Sequence, residues 1–150
     1  MKRLLQTALI MAFAVILTAG CSKEDDIDEI FIGNTWYVRS AMLNGTSLSQ
    51  KEMNSLYDSD DSYWIYFDQT TFSGKMDAPS SYSGTWSVDA KNGDLSFHIT
   101  SEANMNANTT SRTIYTIIKN ASYYKGDSNV LRIYMDKDSY VSFARSKKWL

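Results

Sequence analysis

A single cysteine, a single histidine and a single proline remove whole classes of chemistry from this 150-residue sequence. With Cys21 alone, no internal disulfide, cysteine-based metal cluster or redox pair can be assembled. With His98 alone, a metal site lacks a second imidazole, and a histidine-based triad would have to be built around that one residue. In Leu95-Ser96-Phe97-His98-Ile99, alternation puts Leu95, Phe97 and Ile99 on one face and His98 with Ser96 on the polar face. No serine has the local context of a nucleophile elbow. Pro79 stands alone, the glycines are scattered, and no linker divides the chain. Positive charge is also short. Without Lys2 and Arg3 the 15 basic residues fall to 13, against 17 acidic ones, and the nearest basic cluster is Arg145, Lys147 and Lys148 at the chain end. A nucleic-acid partner needs a basic stripe and is excluded.

What is present begins with an address. Lys2 and Arg3 precede an apolar stretch from Leu4 to Leu17, broken only by Gln6 and Thr7, which has the layout of a secretory signal. The stretch is shorter than the roughly 20 apolar residues a membrane-spanning helix needs. Residues 1–20 are therefore expected to be removed. Leu17-Thr18-Ala19-Gly20-Cys21 resembles the lipobox of bacterial lipoproteins, with Thr18 where that family most often has Leu. The resemblance implies cleavage before Cys21 and a lipid on its sulfur. The following Ser22-Lys23-Glu24-Asp25-Asp26 resembles the lysine-plus-acidic export signal of Bacteroidota surface lipoproteins. Lys23, Glu24, Asp25 and Asp26 are thereby assigned to export, and the protein to the outer membrane, exposed at the cell surface. Residues 21–30 read as a lipidated cysteine and acidic tether, and 31–150 as one barrel domain of a size suited to one core.

Period-two alternation dominates from Thr35 onward. It predicts strands over 35–43, 62–68, 71–76, 81–89, 94–101, 110–119, 129–136 and 139–145. Asn44-Gly45, Lys91-Asn92-Gly93 and Lys137-Asp138 are turn signals. Ser49 with Glu52 three residues on matches a capping box and predicts one helix over 49–57. Eight antiparallel strands and one short helix after the first strand predict an all-β fold, a small barrel whose closure removes exposed edges.

Gly33-Asn34-Thr35-Trp36, Phe67-Asp68 with Phe72-Ser73-Gly74, Tyr82-Ser83-Gly84-Thr85-Trp86, Gly93-Asp94-Leu95-Ser96-Phe97 and Val141-Ser142-Phe143-Ala144-Arg145 follow one another in an order that resembles the META domain of bacterial envelope lipoproteins. Many members of that family carry cysteines before the fourth and after the fifth strand. Ala78-Pro79-Ser80-Ser81 and Asn104-Met105-Asn106-Ala107 stand there instead. Lipocalins are the rival likeness, since a Gly-x-Trp start and a late arginine also resemble their closed end. Gly33 to Trp36 is one residue too long for that motif.

Asp58-Ser59-Asp60-Asp61 is the densest acidic cluster, but it lacks the glycine turn and downstream glutamate of a calcium loop. The other carboxylates mostly fall at predicted strand ends, where acids start turns rather than face each other across a cleft. Asn44-Gly45-Thr46, Asn108-Thr109-Thr110 and Asn120-Ala121-Ser122 match the glycosylation triplet and read as unmodified loops. Neither catalysis nor a cofactor or metal is expected. The predicted core includes Trp36, Trp86, Phe97 and Phe143, with Ile114 from the sixth strand and Arg145 near Trp36. Large aromatics pointing inward favour a filled interior over the ligand cavity of a small-hydrophobe carrier. Tyr37, Trp64, Tyr66, Tyr115, Tyr134 and Tyr140 all alternate outward and are expected to form one continuous patch for a protein or glycan partner.

Overall fold

The computed structural model describes residues 23–58 and 60–147, with side chains from Ile27 onward. The signal segment and Cys21 lie outside the described residues, as do the side chains of Lys23, Glu24, Asp25 and Asp26. Among the described residues three helices, α1 (Lys23–Ile30), α2 (Gln50–Ser55) and α3 (Thr109–Lys119), accompany nine strands. The strands are β1 (Asn34–Leu43), β2 (Thr46–Ser47), β3 (Trp64–Phe67), β4 (Thr71–Lys75), β5 (Ser81–Asp89), β6 (Asp94–Ala103), β7 (Tyr123–Gly126), β8 (Val130–Asp136) and β9 (Ser139–Ala144).

Every named strand pair is antiparallel, and β1, β3, β4, β5, β6, β7, β8 and β9 follow one another round a ring that closes through β9 and β1. The two-residue β2 folds back on the end of β1 across Asn44 and Gly45, both at positive φ, as a tight hairpin turn requires. At α2, Ser49 Oγ accepts from Glu52 N at 3.3 Å, and Glu52 Oε2 accepts from Ser49 N at 2.8 Å, so the capping box forms as read. The Ser49 hydrogen bonds hold the Glu52 carboxyl below its usual range.

The ring has eight members, yet residues 110–119 are not one of them. They form α3, and the seventh strand is Tyr123–Gly126. Thr110, Thr113, Ile114, Thr116, Ile117 and Ile118 are β-branched, which biases the segment toward a strand. The buried positions decide otherwise. Thr110, Ile114, Ile117 and Ile118 fall at i, i+4, i+7 and i+8, one helical stripe. Asn108 caps the helix, its Oδ1 accepting from Ser111 N at 2.7 Å. α3 packs against β1, β6, β8 and β9, strands from both sides of the ring.

The expected tether is likewise shorter than read. Ile27, Ile30 and Phe31 lie at helical spacing and are buried in the core, while Asp28 and Glu29 stay exposed. The barrel unit therefore begins within α1 and not at residue 31. Gly33, at φ +74°, turns the chain from α1 into β1. Asn34 Nδ2 donates to Glu29 O at 2.8 Å, Trp36 Nε1 to Ile30 O at 2.9 Å and Arg145 Nη2 to Glu29 O at 2.9 Å, so three side chains satisfy the last carbonyls of α1. Arg145 also lies 4.3 Å from the centroid of the Trp36 ring.

Aromatic rings fill the space between α1 and α3. Phe31 meets Phe67, Trp86 and Tyr124 at centroid distances of 5.0, 5.0 and 4.9 Å. Phe67 continues to Phe97, Phe97 to Phe72, Phe72 to Tyr82, and Tyr82 to Tyr115 on α3. Trp36, Trp86 and Phe143 are buried, but Phe97 is only partly buried. Val88 and Ile99 share that exposure. All three lie on β5 and β6, beside the place where β6 lacks a neighbouring strand.

Candidate binding surface

On the outer wall, residues facing away from the core are set side by side by strand register. Trp64 of β3 lies opposite Tyr37 of β1, Tyr37 opposite Ala144 of β9, and Ala144 opposite Val130 of β8. Two pairs along, on the same face, Tyr66 lies opposite Thr35. The result is an apolar row across four strands with Tyr66 beside it. Tyr37, Trp64 and Tyr66 are partly exposed, and Val130 is 45% exposed. Alternation found the three aromatics; Val130 and Ala144 join them only through the cross-strand register.

The row is flanked by charge. Trp64 Nε1 donates to Asp61 Oδ1 at 3.3 Å, and Lys75, opposite Trp64, forms an ion pair with Asp61. Hydrogen bonds from Lys75 and Trp64 hold the Asp61 carboxyl below the usual range. Lys147 Nζ donates to Ser62 O at 3.0 Å and feels Asp60, Asp61 and Asp58, although its burial lowers its pKa. The acidic loop is thus organised around two lysines.

The remaining predicted aromatics are elsewhere. Tyr134 and Tyr140 are cross-strand partners on β8 and β9, and Tyr123 on β7 joins them. Tyr123 stacks on Tyr134 at 4.6 Å with planes 7° apart, and Tyr134 meets Tyr140 at 5.3 Å. Lys125 lies near both Tyr123 and Tyr134, and Arg132 near Tyr140. Ring faces here are taken up by one another and by cations, and Tyr134 is only 9% exposed. The registered polar row Arg132, Ser142 and Ser40 separates this ladder from Tyr37. The single continuous patch expected from alternation is therefore two groups, one open and one closed on itself.

Tyr115 belongs to neither group. Its place on α3 buries it against Tyr82, and its hydroxyl donates to Glu102, which also accepts from Lys119 Nζ at 3.3 Å. Burial first, then the Glu102 hydrogen bond, pushes the Tyr115 hydroxyl above its usual pKa; the same two donors lower that of Glu102. Tyr82 fits because Gly74 lies under it: a Cβ there would come within 2.5 Å of the ring.

His98 is exposed on the polar wall opposite Thr85. Among the described residues no group of three His, Cys, Asp or Glu side chains is placed to hold a metal ion. Of the glycosylation triplets, Asn108 caps α3 at its start, while Asn120 closes its end by donating to Thr116 O at 2.8 Å. Asn44 lies in the β1–β2 turn. Among the described residues no helix is long and apolar enough to cross a membrane.

Comparison with known proteins gives a family and a fold. The model of a family described as Domain of unknown function (DUF4847) matches residues 22–145. No curated protein matches. The crystal structure of a DUF4847 family protein from Bacteroides vulgatus ATCC 8482 is similar, with a TM-score of 0.66 and 23% identity over 82% of this chain and 99% of that one. An NMR structure of a further protein aligns with a TM-score of 0.49 and 18% identity, over 84% of this chain and 96% of that one.

Proposed function

This chain belongs to the DUF4847 family, and from that premise we propose that it is a lipid-anchored protein of the bacterial outer membrane, displayed at the cell surface, that works by non-enzymatic contact with a protein or glycan partner. The lipobox-like Leu17 to Cys21 and the acidic run after it support the anchor and the address. The likeness of the ordered strand motifs to META-domain lipoproteins belongs to the same reading. The observation that carries the contact role is the open row of Trp64, Tyr37, Ala144 and Val130 with Tyr66 beside it, a stiff apolar strip with polar tips on the outside of a filled barrel. A carrier of a small hydrophobic molecule needs free volume at the axis, where the rings from Phe31 to Tyr115 now lie.

Two experiments test the two halves of this reading. Wild-type protein should take up labelled fatty acid, and Cys21→Ser should leave the membrane fraction; a variant that stays bound, with no label in the wild type, refutes the anchor. For the contact role, a photo-crosslinking residue placed at Tyr37 or Trp64 in living cells should yield a discrete adduct, and one placed at the exposed Thr85 of β5 should not. Adducts from Thr85 alone place the contact elsewhere.

A further inference from the structure

On the outer wall two positive side chains face each other. Lys125 of β7 and Arg132 of β8 are directly opposed in the ladder, and both are exposed. Like charges so placed destabilise a strand pair. No acid relieves them: among the described residues neither side chain forms an ion pair, whereas Lys75, Lys119 and Lys137 each do. The acids of the same hairpin are occupied by its turns, Asp127 accepting from Asn129 N and Val130 N at 2.8 and 3.0 Å and Asp136 from Asp138 N at 2.8 Å. Tyrosine rings take the place of carboxylates. Lys125 Nζ lies 5.9 and 5.6 Å from the centroids of Tyr123 and Tyr134, and Arg132 lies 5.5 Å from that of Tyr140. Those distances are close to the limit of about 6 Å for such a contact, and a ring neutralises no charge. Strand register joins these cations to the open aromatic row. Arg132 lies opposite Ser142 and Ser142 opposite Ser40, so cations and hydroxyls form a polar row over β7, β8, β9 and β1. Two residues along β8 and β9 come Val130 and Ala144, which begin the row that ends in Tyr37 and Trp64. Among the described residues Tyr37, Trp64 and Tyr66 are stacked on no other ring.

We infer that this wall binds an acidic glycan, with sugar rings lying on Tyr37 and Trp64 and a carboxylate or sulfate of the same chain held between Lys125 and Arg132. The inference rests on the contact role proposed above and names the chemistry of the partner. A sugar ring packs its apolar C–H face on an aromatic ring and turns an edge of hydroxyls toward its surroundings, where Ser40 and Ser142 both donate and accept. An oxyanion between the two cations removes their repulsion and takes charge-assisted hydrogen bonds from both. Tyr37 and Arg132 are two strands apart, about 10 Å across the wall, so a short oligosaccharide reaches both and a free anion does not. A neutral glycan leaves the opposed cations as they are. An acidic peptide meets the cations but finds no main-chain partner here, because β1, β9 and β8 are each paired on both sides. A glycan has no amides to satisfy.

The test titrates the 15N-labelled full chain with trigalacturonate, which carries carboxylates, and with a heparin-derived tetrasaccharide, which adds sulfates. One or both should shift the Trp64 indole and Arg132 Nε–H signals together, and added salt should weaken the binding. Methyl-esterified trigalacturonate keeps the rings without the charge and should bind roughly ten-fold more weakly than the acid, the worth of one hydrogen bond to a charged group. Arg132→Gln should lose the same factor for the acid and none for the ester. Its melting temperature should hold or rise, since one of two opposed like charges is gone. A clear fall in melting temperature would make Arg132 a structural residue and overturn the inference. Equal binding of acid and ester overturns the anion pair. Hexaglutamate binding as tightly as the acidic sugars assigns the cations to an acidic protein and overturns the glycan. No binding of either acidic sugar also overturns it; adducts from Tyr37 or Trp64 in cells, which report a partner of any chemistry, then show whether the contact role itself survives.

Discussion

The barrel is closed in two different ways at two seams. Between β1 and β9 the closure is a ladder, registered from Tyr37 with Ala144 to Met42 with Tyr140. Beneath it Trp36 and Arg145 bind the end of α1, and Arg145 Nε also donates to Ser128 O at 2.8 Å. Between β6 and β7 one rung is made, and the rest of the gap is filled by α3 through side chains: Tyr115 against Tyr82, Tyr115 and Lys119 on Glu102, and the buried isoleucines. A ladder seals with main-chain groups that neither titrate nor depend on one residue. A helix seal depends on its cap, its packing stripe and the protonation of the groups that pin it, and it leaves strand-edge groups unused. The difference teaches that ring closure and edge protection are separable: the ring is continuous at β6, but the edge is only shielded there.

The comparison predicts a graded set of effects. Trp36→Ala removes the anchor under the ladder seam and should cost about 3 to 5 kcal/mol, a large share of the roughly 5 to 15 kcal/mol typical of a domain. Chemical denaturation measures it, and an unchanged midpoint would mean that the ladder holds without its core. Asn108→Ala uncaps α3 and should cost about 1 kcal/mol. Hydrogen exchange should quicken in α3 while the β1 and β9 amides keep their protection; equal loss at both seams would show that the two do not act separately.

Alkali should loosen the helix seam first. Burial raises the hydroxyl pKa of both Tyr82 and Tyr115 above the ordinary 10.0. An acid whose folded-state pKa is raised contributes stability that is fully present below its unfolded pKa and is lost progressively as pH rises from that value through the folded one. Stability should therefore fall from about pH 10 upward, with the tyrosinate absorbance of these two residues appearing together with unfolding. Early, reversible ionisation of all tyrosines in folded protein would contradict their burial. Glu102→Gln should have the smallest effect. It keeps an acceptor for Tyr115, removes an exposed charge, and should speed exchange along α3 without a measurable change in melting temperature. A large drop would make the Glu102 ion pair, and not apolar packing, the seal.

Much of this was legible in the sequence because it is local. Alternation in 35–43, 81–89 and 94–101 needs no information beyond neighbouring residues, and the β1, β5 and β6 strands lie there. The Ser49–Glu52 capping box and the Asn44-Gly45 turn are decided within four residues. The candidate surface was half legible. Outward direction follows from period two, so Tyr37, Trp64 and Tyr66 were found, but whether outward rings meet depends on register between strands far apart in the chain. That register split Tyr134 and Tyr140 from the others and added Tyr123 and Val130.

By itself the sequence determined an all-β, barrel-like fold, seven of its strands, its main turns and its short capped helix, since each follows from side-chain period and turn chemistry over a few residues. Only the tertiary structure decided the state of residues 109–119. Their β-branched composition favours a strand, but burying Ile114, Ile117 and Ile118 together requires one stripe facing strands on both sides of the ring. A helix provides that stripe, whereas a strand would send Ile117 and Ile118 to opposite faces. The same choice carried Tyr115 from the outer wall into the interior and left the edge of β6 without a strand beside it.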